Sequence, residues 1–235
     1  MSAAPLLEET VPSFEVDALA RLVADGDVVV LSGAGLSTDS GIPDYRGATG
    51  SLRRHTPMTY QTFTRDPRGR HRYWARSFVG WRQIRGALPN AGHRAVAGLQ
   101  QAGLVSGVIT QNVDGLHQAA GARDVVELHG GLDRTVCLAC GGGPLKPDVV
   151  FFGETVPRDR VDACFELVDG AGCLLVLGSS LTVMSGYRFV LRAAKAGIPV
   201  AIVNVGPTRG DAKADVRVDA PLGVVLPDLA ARLSA

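Results

Sequence analysis

The sequence predicts an α/β fold: a doubly wound, mostly parallel sheet with helices on both faces. Three observations predict it. Short apolar runs rich in β-branched residues recur at Val28–Leu31, Val108–Thr110, Val125–Leu128, Cys173–Leu177 and Val200–Val203. Val28–Leu31, Cys173–Leu177 and Val200–Val203 are apolar throughout rather than alternating, the pattern of strands buried on both faces. Helical patterning fills most of the gaps between them, so strand, crossover and strand alternate. Each run also ends in small or polar residues, at Gly33, Gln111, His129, Ser179 and Asn204. In an open parallel sheet such positions, just past the strand C-termini, line the ligand crevice.

Taken in order, Phe14 to Asp25 reads as a first helix, with Val16, Leu19, Leu22 and Val23 as its apolar stripe and Gly26 as its stop. The strand at Val28 breaks at Ser32-Gly33-Ala34-Gly35, a turn whose exposed N–H groups can receive an anion such as a pyrophosphate. An ordinary strand-to-helix turn has the same composition. From Gly47 to Pro89 the character changes to arginine and aromatic residues without a buried strand. Pro57 and Pro67 split this segment, and Tyr73, Ser77 and Trp81 recur at helical spacing, the signature of a small helical unit with an aromatic core. Asn90 is placed to cap a helix containing His93, Val96 and Leu99, with His93 a packed or capping residue. Residues 160–170 and 187–196 look helical, Val216–Val218 is a last short strand, and Leu222, Val225, Leu226 and Leu229 mark a terminal helix.

Composition narrows the classes. The chain has 235 residues, 46% hydrophobic and 20% charged, which suits a folded domain with a small inserted module. A net charge of +1 gives no reason to expect direct nucleic-acid binding. The arginines concentrated between Arg46 and Arg85 fit either a solvated helical face or contacts with phosphates or acidic partners. Met1 to Val11 carries Glu8 and Glu9 and no apolar core, and no apolar stretch is long enough to span a bilayer, so no membrane association and a cytoplasmic location are expected. The four cysteines are accordingly expected as thiols.

The chemistry concentrates in a few stretches. Thr110-Gln111-Asn112-Val113-Asp114-Gly115 gathers amide and carboxylate groups suited to a ribose hydroxyl and a carboxamide. An Asx turn satisfying its own backbone is the plainer alternative. His129 has the side chain for a general base near neutrality, or is a satisfied structural histidine. No GxSxG, HExxH or GxxxxGK[ST] pattern occurs. Thr38 stands where a GxGxxG dehydrogenase turn needs a small third residue, which argues against hydride transfer.

GAGLSTDSGIPDYR at 33–46, TQNVDGLH at 110–117, ELHG at 127–130, KPDVVFFGE at 146–154, GSSLTV at 178–183 and NVGPT at 204–208 together resemble the sirtuin family, in family order and across nearly the whole chain. The resemblance implies a Rossmann-like NAD-binding domain at 1–47, 90–134 and 146–235. It implies a small domain at 48–89 and 135–145, combining a helical module with a truncated zinc-ribbon region. NAD would be a consumed cosubstrate and acyl-lysine proteins or peptides the partners. Carried over by motif, Gly33, Ala34, Gly35, Asp44, Tyr45 and Arg46 look like the cofactor loop. Gln111, Asn112 and Asp114 resemble the ribose and nicotinamide contacts, and Gly178, Ser179 and Asn204 the adenosine side. His129 resembles the catalytic histidine, aided by Asn112, which positions the ribose. Val149, Phe151, Phe152 and Gly153 would form the acyl-lysine channel and an edge that pairs with the extended substrate.

The implied reaction frees lysine and releases nicotinamide and an O-acyl-ADP-ribose, by orientation and water exclusion. Mono-ADP-ribosyl transfer from the same site and NAD or ADP-ribose sensing without efficient turnover are the rival functions. TPMTYQTFTR, RHRYWARSFVGW and FFGETV look most like the class II subgroup that has a mitochondrial member. Tyr73-Trp-Ala-Arg76 has the Tyr-x-x-Arg spacing of family members that take carboxylated acyl groups; a core tyrosine beside a surface arginine has the same spacing. One departure stands out. The family usually carries two Cys-x-x-Cys pairs for a tetrahedral zinc. Here the remnant pair Cys137 and Cys140 runs directly into Gly141-Gly142-Gly143-Pro144, and Cys164 and Cys173 fall in a predicted helix and strand. No complete metal site is expected, and structural zinc is doubtful.

Overall fold

A computed structural model of the chain describes residues 13–47, 50, 56–138 and 144–234. Its centre is a six-stranded parallel sheet in the order β3-β2-β1-β6-β7-β8. The strands are β1 (Val28–Ser32), β2 (Val105–Thr110), β3 (Val125–Glu127), β6 (Cys173–Leu177), β7 (Val200–Val203) and β8 (Val216–Val218). The order of winding reverses between β1 and β6, the place where such sheets open a crevice. Register sharpens that point, because Ser32 pairs with both Thr110 and Leu177, so the three central strands end level.

Each strand face has its own helical cover. Val28 and Val30 of β1 pack with α1 (Ser13–Ala24), α4 (Ala91–Gln101) and α8 (Leu222–Leu233). Val29 and Leu31, pointing the other way, meet α6 (Arg158–Asp169) and α7 (Met184–Ala196). This alternation is the two-residue period of a strand buried on both sides. Cys164 and Cys173 are fully inside these two layers, where burial pushes their thiols up to about 12 and about 11.

The arginine-rich segment forms α2 (Tyr60–Arg65) and α3 (Pro67–Gly86). Pro67 does more than split it: the ring occupies the first turn of α3, with Asp66 accepting from Arg68 N as the cap. Phe63 is fully buried, with the rings of Tyr73, Trp74 and Phe151 around it. Phe78 is 76% exposed and takes no part, because five residues beyond Tyr73 the helix has turned it outward. Asn90 caps α4 as expected, and His93 completes a capping box with it.

The antiparallel pair of β4 (Gly130–Cys137) and β5 (Leu145–Val149) was not legible beforehand. Glycines, charges and Pro147 hide its alternation, and its two strands run across the expected boundaries at 134/135 and 145/146. Gly130 pairs with Val149 at a φ of +80°, where a Cβ would lie 1.8 Å from the Asp148 carbonyl oxygen. Cys137 ends β4, whereas Cys140 lies outside the described residues. Among the described residues no group of three or more His, Cys, Asp or Glu side chains is arranged to hold a metal ion.

Candidate functional site

The level strand ends bring two glycine loops into contact. A Cβ on Gly33 would lie 2.8 Å from the Gly178 carbonyl oxygen, and one on Gly178 would lie 2.5 Å from Leu36 N. Gly178 also has a φ of +61°, so glycine is required on both counts. Several backbone amides of this turn bond within the protein. Gly33 N donates to Leu177 O, Gly35 N to Gly178 O and Leu36 N to Gly33 O. These three amides are engaged within the protein, and the glycines let the two loops pack closely.

Beneath the loops lies a connected polar cluster. Ser32 Oγ donates to Thr110 Oγ1 at 2.9 Å and sits 2.8 Å from His117 Nε2. Asn112 Nδ2 donates to Gly33 O at 3.0 Å and to Ser37 Oγ at 3.1 Å. Ser37 Oγ donates to Asp114 Oδ2 at 2.7 Å, while Asp114 Oδ1 accepts from Leu116 N. One Asp114 oxygen therefore closes the Asx turn, while the other enters the cluster. His93 and His117 lie with ring centroids 5.2 Å apart. Burial, then the neighbouring His93, pushes His117 down to about 3, and burial also lowers His93. Ser37 and His117 were missed as participants. The available signal was their place in GAGLSTDS and TQNVDGLH, just past two buried strands.

Gln111 joins the central strand exits. Its side-chain amide donates to Ser179 Oγ at 2.8 Å, and its backbone carbonyl lies 3.0 Å from His129 Nδ1. His129 Nε2 is 2.9 Å from Ser185 Oγ. Burial lowers the His129 pKa first, the Gln111 bond opposes that, and the Arg188 charge lowers it further. His129 is thus a neutral imidazole at neutral pH. Asn204 turns inward on its own loop, donating to Val205 O and Gly206 O.

The loop after Gly41 forms the opposite rim. Asp44 Oδ2 accepts from Gly47 N, and Asp44 Oδ1 is buried without a hydrogen-bond partner. Tyr45 stands edge-on to Phe152, with Arg46 exposed beside it. Gln83 of α3 donates to Gly41 O at 3.2 Å, tying the helical segment to this rim. Tyr73 packs on Phe151 with ring centroids 5.1 Å apart, while Arg76, one turn later, is exposed. Phe151 is further fixed by the buried Lys146, whose ammonium lies 4.7 Å from the ring centroid and 3.1 Å from Glu154 Oε2. Lys146 also donates to Val149 O. Phe152 O accepts from Tyr60 N and Gly153 O from Gln61 Nε2, so α2 already occupies those carbonyls.

The donor set fits a dinucleotide carrying a ribose and a carboxamide. Buried Ser179 and Asn204 face one side of the strand reversal, the Asn112 cluster the other, and the unpartnered Asp44 oxygen lies on the rim. Fold and site together define a doubly wound α/β protein with its ligand crevice at the sheet reversal and a helical wall carrying an aromatic cluster.

Comparisons with known proteins agree. A Sir2 family model matches residues 33–143 and 141–185. The chain is similar to the NAD-dependent protein deacetylase 1 of Streptomyces coelicolor, 55% identical over 88% of this chain and 86% of the relative. It is 45% identical to the NAD-dependent protein deacetylase 1 of Mycobacterium avium, over 96% and 98% of the two chains. Among solved structures, one described as "Structural Basis for the Mechanism and Regulation of Sir2 Enzymes" superposes with a TM-score of 0.87 at 34% identity, covering 95% of this chain and 99% of the other. A "Sir2-p53 peptide-NAD+" structure gives 0.79 at 30% identity, covering 93% and 96%. The chain belongs to the Sir2 family, the sirtuins.

Proposed function

We propose that the protein is an NAD-dependent protein-lysine deacylase, and the observation that carries this is His129. It is a neutral imidazole held at the strand exits by the Gln111 carbonyl, in a chain similar throughout to protein deacetylases. When bound, NAD supplies an electrophilic ribose carbon with nicotinamide as its leaving group, and it carries the acyl group away. The chain's residues do the rest. Asn112, fixed by Gly33 O and Ser37, orients the ribose, and Asp114 and Gln111 complete that side. Gly178, Ser179 and Asn204 hold the adenosine half, and Ala34, Asp44, Tyr45 and Arg46 border the phosphates and nicotinamide ribose. His129 Nε2 accepts the proton of a ribose hydroxyl as that oxygen attacks the acyl carbon. Val149, Phe151 and Phe152 wall the acyl-lysine and keep water out.

The protein substrate runs past Gly153 as an extended chain, pairing where α2 leaves the backbone open. Tyr73 and Arg76 set acyl preference. Gln83, on the same stripe of α3 as Arg76, contacts the Gly41 rim, which supports a guanidinium directed along the cleft. A panel of acetyl-, succinyl- and glutaryl-lysine peptides with NAD tests both points. Turnover of carboxylated peptides, lost in Arg76→Ala, is the expected result. Labelling of protein by ADP-ribose without deacylation would replace this reading with ADP-ribosyl transfer.

We place the chain in the class II subgroup, on the TPMTYQTFTR, RHRYWARSFVGW and FFGETV stretches, and as a form without structural zinc. The family match breaks into two segments that meet at residues 141–143, directly after the single Cys137–Cys140 pair. The alignment with the Streptomyces relative runs over 258 positions although this chain has 235 residues, so the relative carries residues that are lacking here. Four thiolates are needed for the usual site. Metal analysis of the purified protein is expected to give well under one zinc per chain, and a stoichiometric zinc that survives gel filtration contradicts this.

A further inference from the structure

We propose that Ser185 is a positioning residue for the proton transfer, the group that orients His129 Nε2 and keeps it basic enough to act. The inference rests on the reading of His129 as the base. A backbone carbonyl only accepts, so the 3.0 Å contact with Gln111 O requires the hydrogen to stay on Nδ1. Nε2 is then the open nitrogen, and its partner at 2.9 Å is the Ser185 hydroxyl. A hydroxyl serves either protonation state: it donates to Nε2 of the resting ring, turns aside when the ribose hydroxyl takes that lone pair, and accepts from the imidazolium that forms.

Ser185 reaches His129 because of how α7 is docked. It lies in the first turn of that helix, followed by the buried Gly186. A Cβ at Gly186 would lie 2.6 Å from Gln111 Oε1, so the missing side chain lets the helix start close onto Gln111. Gln111 therefore links both ends of the clamp. Its carbonyl takes Nδ1–H, and its side chain lies beside the turn that brings Ser185 to Nε2.

The two states do not gain equally from the hydroxyl. A hydrogen bond from an imidazolium is about twice as strong as one between neutral groups. Ser185 thus raises the basicity of His129, against burial and against the positive charge of Arg188 of α7. Without the hydroxyl, the ring loses both its orientation and part of its basicity.

The test compares Ser185→Ala, Ser185→Thr and His129→Ala in the full-length chain, reading deacylation kinetics across pH, NAD affinity and thermal unfolding. Ser185→Ala is expected to lower kcat about tenfold, a fraction of what a general base contributes, with KM for NAD within about twofold. The acid limb of its pH profile is expected to move down by about one pH unit. Ser185→Thr, which keeps the hydroxyl, should recover most of the rate. Wild-type kinetics and pH profile in Ser185→Ala overturn the proposal. So does a Ser185→Thr enzyme no faster than Ser185→Ala at equal NAD affinity, since hydroxyl chemistry would then be irrelevant. His129→Ala separates the two levels: its collapse beside a normal Ser185→Ala removes only the serine, whereas near-normal turnover in His129→Ala removes the base itself.

Discussion

Replacing His129 with alanine is expected to lower deacylation by about 100- to 10,000-fold, the usual contribution of a positioned general base. NAD affinity should stay within a few-fold, because the hydrogen bonds joining Gln111 to Ser179 and Asn112 to Gly33 do not pass through the imidazole. The pH profile of the wild-type enzyme carries the same information. The base works when unprotonated, and burial lowers the folded-state pKa of His129 below its ordinary value of 6.5. Activity should therefore persist as pH falls through 6.5 and decline only below it, through the lowered pKa. An acid limb at or above 6.5, or a His129→Ala enzyme with near-normal turnover, would remove the histidine from this role.

Gly178→Ala should cost on the order of 3 kcal/mol or more in stability, together with loss of NAD binding. Two costs combine. The φ of +61° is one that alanine adopts with strain, and the new Cβ would lie 2.5 Å from Leu36 N and 2.7 Å from the Gly35 carbonyl carbon. Those are backbone atoms, so no side chain can swing aside; the two strand-exit loops must separate. Gly197 supplies the control, since it has a φ of +72° with nothing within 4 Å of its Cβ position. Gly197→Ala should cost only about 1 kcal/mol, the backbone strain alone, and leave NAD binding unchanged. Chemical denaturation with calorimetric titration of NAD checks both variants. Equal destabilisation of the two would show that loop contact adds nothing at Gly178.

The parallel sheet was legible because strands buried on both faces announce themselves as apolar runs, and Val28–Leu31 and Cys173–Leu177 carry nothing else. The polar residues past each run were legible as a group for the same topological reason. What each one bonds was not. The sequence pattern of Gly33 and Gly35 suggests free amides, yet their partners are Leu177 and Gly178, more than 140 positions away. The β4–β5 pair escaped because most of it is exposed or only partly buried, so no continuous apolar run marks it. Ser185 escaped because a serine in a helix's first turn is unremarkable until the fold sets it against His129. Long-range pairing of polar atoms is a property of the packed chain, and local spacing does not encode it.

The central claim is that the protein consumes NAD to remove acyl groups from lysine, and one measurement tests it most directly. Purified protein, NAD and an acetyl-lysine peptide are incubated, and free lysine, nicotinamide and O-acetyl-ADP-ribose are quantified together by mass spectrometry. If no acetyl peptide is turned over, the succinyl and glutaryl peptides take its place. The expected result is equimolar formation of all three products, with none formed when NAD is omitted. Nicotinamide released without free lysine, or lysine freed without NAD, would contradict the account.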